Sequence, residues 1–333
     1  MVEDLNLMLG SFSERFPYNT TKSLHDIKSS TQLKDSTPLI ELGKLAKLLK
    51  AQITKAAILS QKSRIAGNET VLTKQLHELE QSLFYLLSLF PKFHLSGDYA
   101  SYLLKQLDET VLALVQCMQQ IYVEIKEGNE NLLSVGKLWS LCDELLSISE
   151  EGNLGLLKKH ISSSTKLVND TILEIHDWLE DPILEQDDPF GLDGSSGEDN
   201  DGADTDRNVC EVASKEMVEF VQKLERKLKL IKLLLGSFNK SVEVEKSHSR
   251  AAVEIFDKLN TMHHDIVPQI DEFVSSIFML GADFDPEDGD IIEELNKLNT
   301  SMKQLCKLVR KLNFKNPMKN KWLENWEAQW QKL

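Results

Sequence analysis

Apolar residues recur three and four positions apart along most of this chain and almost nowhere alternate in twos, the period of helices rather than strands. Thr37-Pro38 is a cap with proline at the first helical position, and Leu39, Leu42, Ala46, Leu49, Ile53 and Ala57 then mark one face up to Gly67. A second helix is predicted after Asn68, with a stripe from Leu72 through Leu79 and Leu86 to Phe90 and a stop at Pro91. A third follows Asp98 on Tyr102, Leu107, Leu114, Met118 and Ile125 and closes at Gly128. The fourth carries Leu138, Trp139, Cys142 and Leu145, and the fifth runs from about Leu154 to Glu180 on Ile161, Val168, Ile172 and Ile175. Five helices with short connections predict a bundle over residues 38–180, preceded by an N-terminal arm, residues 1–37.

The same period returns in residues 210–333. Met217, Val221, Leu224, Leu228, Ile231 and Leu235 define a sixth helix, and a long seventh extends from Ala252 to Leu280. Pro268 falls inside it, which predicts a kink or break near Val267, because an interior proline costs ~3 kcal/mol. An eighth opens at Asp285-Pro286-Glu287-Asp288 and carries Ile292, Leu298, Met302, Leu305 and Val309. Two or three helices do not readily enclose a core, so this block is expected to pack on the bundle or to borrow a helix from it. The fold class is all-α: an N-terminal five-helix bundle and a C-terminal helical block, joined by an acidic disordered linker over residues 181–209.

Composition changes the picture mainly at that linker. Glu180 to Asp206 holds eleven carboxylates without one Lys or Arg, punctuated by Pro182, Pro189, Gly191, Gly194, Gly197 and Gly202. Such a segment buries too little apolar surface to offset its ordering entropy. It also accounts for eleven of the fifteen net negative charges, so the acidity is local and the rest of the chain can still carry a basic patch. Ser195 and Ser196 each have an acid three residues on, Glu198 and Asp199, the pattern acidophilic kinases favour; the alternative is a solvated spacer with incidental serines.

The whole 333-residue chain is 41% hydrophobic, enough to fill real cores. Cys117, Cys142, Cys210 and Cys306 are widely spaced, and Met1-Val2-Glu3-Asp4 has acids where a signal peptide wants bases, which predicts a reducing compartment, cytoplasm and nucleus. The sequons at Asn19, Asn68, Asn169 and Asn299 are then expected to be unused. No apolar run reaches the roughly 18 residues of a membrane span. There is no phosphate-cradling glycine loop, no H-E-x-x-H and no nucleophile elbow, so no catalytic, metal or cofactor site is expected and the chain reads as a binding protein rather than an enzyme. His263 and His264 are adjacent, diverge by about 100° on a helix, and are expected at the surface or its boundary.

One constellation points to docking. Eight basic residues lie between Lys297 and Lys321 with no acid before Glu324, among them Lys311, Lys315 and Lys319, and Trp322, Trp326 and Trp330 then recur every four residues. Either the tryptophans fold back as a terminal clasp, or they form an exposed row that anchors in a partner's groove or, peripherally, at a lipid interface.

Three segments also carry a resemblance. Leu138-Trp139-Ser140-Leu141-Cys142, Asp177-Trp178-Leu179-Glu180-Asp181-Pro182 before the acidic break, and Asp265-Ile266-Val267-Pro268-Gln269-Ile270-Asp271-Glu272-Phe273-Val274-Ser275 follow one another as in the cyclin-D-binding proteins, eukaryotic helical regulators described as helix-loop-helix-like. Within the last segment Pro268, Asp271 and Ser275 fall at the family-like positions. The resemblance, over about residues 38–300, implies a non-enzymatic regulator of cell-cycle progression or transcription that binds cyclins or helix-loop-helix proteins, with no cofactor. It also implies no basic DNA-reading helix, and this chain has none, so direct sequence-specific DNA binding is not expected. A structural adaptor of the vinculin or α-catenin type, linking membrane or cytoskeletal components, is the alternative.

Overall fold

A computed structural model describes residues 2–28, 31–61, 68–129, 132–184, 211–241, 250–313 and 315–333. Eleven α-helices carry these residues: α1 (Val2–Gly10), α2 (Phe12–Arg15), α3 (Thr21–His25), α4 (Pro38–Leu59), α5 (Glu69–Ser96), α6 (Ser101–Glu127), α7 (Leu133–Glu180), α8 (Lys215–Ser241), α9 (Arg250–Leu280), α10 (Gly289–Leu312) and α11 (Pro317–Lys332). The fold is all-α. The described residues add only one 3₁₀ turn, Gly281–Asp283, and a two-residue antiparallel ladder, β1 (Ile183–Leu184) with β2 (Glu211–Val212).

Residues of Met1–Leu157 and Val244–Asp257 form one compact unit, and those of Lys158–Glu243 and Lys258–Leu333 a second. The C-terminal half of α7 thus lies in the second unit with α8, most of α9, α10 and α11. Ile172 and Ile175 of that half are buried in this unit, as are Leu228 and Ile231 of α8, Ile270 and Phe273 of α9, and Met302 and Leu305 of α10. The acidic segment lies outside the described residues. Its flanks meet in the ladder, Ile183 opposite Val212 and Leu184 opposite Glu211, and Ala213 N–H donates to Pro182 O at 2.9 Å.

Local chemistry explains the helix ends. Thr37 accepts from Ile40 N–H at 3.3 Å ahead of Pro38, and Asn316 accepts from Lys319 N–H at 3.1 Å ahead of Pro317. Asp288 Oδ1 takes Asp290 N–H at 2.8 Å, so it caps α10, while Asp285 closes the preceding turn onto Glu287 N–H at 2.8 Å. The expected fourth and fifth helices meet at Gly152, whose φ of 56° and ψ of −162° lie in a region essentially only glycine occupies. Beside it, buried Asn153 accepts from Ala100 N–H and donates to Asp98 O, both at 2.8 Å, which fixes the entry to α6.

Four expectations are corrected. Helix α5 does not stop at Pro91 but continues to Ser96 and an αL cap at Gly97, because Phe93, beyond the proline, is 1% exposed and its burial holds the last turn. Helix α9 does not break near Val267; the buried stripe of Ile266, Ile270, Phe273 and Ile277 runs past Pro268, which sits on the exposed face. His263, expected near the surface, is 2% exposed. The residues before α4, where no element was foreseen, hold three helices. In the first unit α1 and α3 pack on α5 and α6. Phe12 meets Tyr122 with ring centroids 4.5 Å apart, and Arg15 Nε bonds buried Glu80 at 3.0 Å.

A candidate docking groove beside the tryptophan helix

Tryptophans four apart advance about 40° per step around a helix, so Trp322 and Trp330 of α11 differ by about 80° and cannot share one environment. Trp326 and Trp330 face inward, 5% and 6% exposed, with stacked rings 5.3 Å apart. Their indole N–H groups are both satisfied: Trp326 donates to Leu230 O at 2.8 Å and Trp330 to Asn299 Oδ1 at 3.1 Å. Lys227 Nζ lies 4.4 Å from the centre of the Trp330 ring, and burial holds its pKa below the ordinary lysine value. Arg310 of α10 ties to Glu327 of α11 at 2.6 Å. Trp322 is 39% exposed.

That outward ring borders a groove of about 530 Å³ in the second unit. It is lined by Lys232, Leu233 and Gly236 of α8, by Val309 of α10 and Asn313 at its C-terminal cap, by Lys319 and Trp322 of α11, and by Thr165 of α7. Leu233 is 58% exposed, an apolar side chain on the outer side of an otherwise amphipathic helix. A Cβ at Gly236 would meet no heavy atom within 4 Å, so the glycine leaves open space. A second hollow of about 420 Å³, lined by Lys166, Asn169 and Asp170, adjoins it through the shared Thr165 and Lys232, and Lys232 Nζ donates to Asn169 Oδ1 at 2.6 Å. The first hollow carries the apolar side chains, Leu233, Val309 and Trp322, and the second is lined by polar and charged ones; three lysines and one aspartate line the two together.

Of the residues singled out from sequence, Trp322 and Lys319 reach this groove, Trp326 and Trp330 belong to the core beneath it, and Lys311 and Lys315 are exposed outside it. Pro268, Asp271 and Ser275 share the exposed face of α9, where Asp271 Oδ1 accepts from Thr171 Oγ1 at 3.2 Å. Ser195 and Ser196 lie outside the described residues. Leu233 and Gly236 were missed; an apolar residue off the stripe and a glycine inside a helix were the available signals.

Two histidine clusters complete the polar interior. In the second unit His263 Nδ1 meets Ser164 Oγ at 2.9 Å, and its desolvation, with His160 and His264 nearby, pushes its pKa down to about 4, so it is neutral at pH 7. In the first unit His25 Nε2 and His94 Nε2 approach the two oxygens of Asp108 at 2.6 and 2.9 Å. Sequence reading had no access to this group, whose members stand 69 and 14 positions apart on three helices. The thiols of Cys117, Cys142 and Cys306 are buried, and burial raises all three pKa values, Cys142 and Cys306 to about 12, which keeps them from acting as thiolate nucleophiles. Among the described residues no helix is long and apolar enough to cross a membrane.

Family models match most of the chain: residues 41–181 fit the N-terminal domain of the Grap2 and cyclin-D-interacting family, and residues 196–307 fit its C-terminal domain. The chain belongs to that family. The family boundary falls in the acidic segment, whereas the compact units divide inside α7 between Leu157 and Lys158. An uncharacterized protein of Saccharomyces cerevisiae is 32% identical over 348 aligned residues, covering 99% of this chain and 97% of the relative. A second, of Schizosaccharomyces pombe and also uncharacterized, is 26% identical over 208 residues, covering 60% and 56%. The family is described as cyclin-D-interacting.

Proposed function

We propose that this chain is a non-enzymatic regulator of cell-cycle progression or transcription, working in the cytoplasm and nucleus by binding a cyclin or a helix-loop-helix protein. The contact surface in this reading is the groove beside Trp322, and the occupant is an amphipathic helix of the partner. Family membership supports the class of partner. The carrying observation is a groove lined by the exposed apolar pair Trp322 and Leu233, with open space where a side chain at Gly236 would stand. Lys166, Lys232 and Lys319 at the rim favour acids flanking the partner's apolar face.

The test is capture of D-type cyclins and helix-loop-helix proteins by the purified full chain, with metal chelated and nucleotide absent. Capture by wild type and its loss on Leu233→Glu support the reading. Dependence on nucleotide, specific DNA binding by the chain alone, or cytoskeletal proteins and vesicles as the sole partners would each overturn it.

A further inference from the structure

Three side chains from three helices aim at one point in the first unit. Asp108 sits in the first third of α6 with its side chain 9% exposed; His94 arrives from the last turn of α5, and His25 closes α3. The imidazole nitrogens and carboxylate oxygens that converge all lie within 4.8 Å of one another. The two rings tilt over each other with centroids 4.5 Å apart, and His94 stacks on buried Phe90 at 5.6 Å. Both histidines present Nε2 to the same carboxylate, one to each oxygen.

We propose that His25, His94 and Asp108 form a binding site for a zinc-class divalent ion that staples the N-terminal helices to the bundle. Two imidazoles and one carboxylate suit zinc, cobalt or nickel, whereas magnesium and calcium prefer all-oxygen shells. A tetrahedral ion with bonds of about 2.0–2.1 Å holds its donors a little over 3 Å apart. The 2.6 and 2.9 Å contacts need to open by about 0.4–0.7 Å toward that spacing while the widest donor separation, within 4.8 Å, closes by up to about 1.5 Å, and His25, with its side chain 47% exposed, has room to make that adjustment. The ion would take the place of the direct contacts of the two imidazoles with Asp108 and leave a fourth position to water on the open side by His25. Because His25 ends α3, coordination would lock the segment preceding α4 onto α5 and α6 and so tie metal binding to folding.

Direct hydrogen bonds satisfy the same three groups without an ion, and metal titration separates the two accounts. The full chain, stripped with chelator, is titrated with Zn²⁺ and with Co²⁺ and followed by calorimetry, visible absorption and melting temperature. One equivalent bound, a rise in melting temperature and a Co²⁺ spectrum without thiolate charge transfer are expected. His25→Ala and Asp108→Asn should each weaken binding by about tenfold or more. His25→Ala decides the matter if Asp108→Asn does not fold, since the side chain it truncates is half exposed. No saturable binding, or binding unchanged in His25→Ala, would overturn the proposal, as would a spectrum of thiolate ligation.

Discussion

At the scale of single residues, the second unit sorts its side chains by what surrounds them more than by type. Trp326 lies stacked in the core with its indole N–H satisfied, so Trp326→Ala should cost about 3–5 kcal/mol in denaturant unfolding, whereas exposed Trp322→Ala should move stability little. Gly236 sits inside α8 with open space where a Cβ would stand, so Gly236→Ala should stabilise by about 0.5–1 kcal/mol, while Gly236→Leu should leave the fold intact and obstruct the groove. His263 supplies a pH dependence. Its folded pKa, about 4, lies below the ordinary 6.5, so the unfolded chain binds the extra proton between these values. Its contribution to stability is whole above pH 6.5 and is lost as pH falls toward 4, with a slope approaching about 1.4 kcal/mol per pH unit. Urea midpoints of wild type and His263→Gln across that window check this; parallel curves would refute it. None of the three environments could be read from sequence. The row of tryptophans was visible at once, but a step of four hides the drift that turns one ring outward, and burial of His263 depends on Ser164, 99 positions away.

Among the elements, the long helices were legible because their stripes are strong and their caps ordinary: Thr37, Asp288 and Asn316 each bond the backbone of the turn they precede. The prolines were less so. Local propensity argues for an end at Pro91, but tertiary burial of Phe93 outweighs one missing hydrogen bond, and at Pro268 the apolar stripe continues on the far side. The short helices α1–α3 escaped because a helix of four to nine residues offers two or three apolar positions, too few for a period, and Leu5, Leu9, Phe12 and Leu24 show their purpose only against α5 and α6. The junction within α7 is the element most exposed to a single change. Gly152→Ala forces a side chain into φ 56°, ψ −162°, and should lower the melting temperature by the equivalent of about 1–3 kcal/mol. An unchanged melting temperature would show that the turn relaxes into continuous helix.

For the molecule as a whole, the order of segments and the family were readable, since the helix stripes and the acidic break follow the family's two domains. The groove was not, because its walls come from four helices whose exposed residues carry no period of their own. The ladder between Ile183–Leu184 and Glu211–Val212 brings the flanks of the acidic segment together, so deleting residues 187–206 should leave helical circular dichroism and the melting midpoint nearly unchanged; cooperative loss of helix would contradict this. The central claim is that a partner helix lies along the groove beside Trp322. Hydrogen exchange of the full chain with and without a captured partner tests it most directly. Protection centred on residues 232–237 of α8 and 319–322 of α11, together with binding about thirtyfold weaker in Trp322→Ala, is the predicted result. Protection confined instead to the exposed face of α9 around Pro268, Asp271 and Ser275, or to the first unit, with Trp322→Ala binding as wild type, would contradict it.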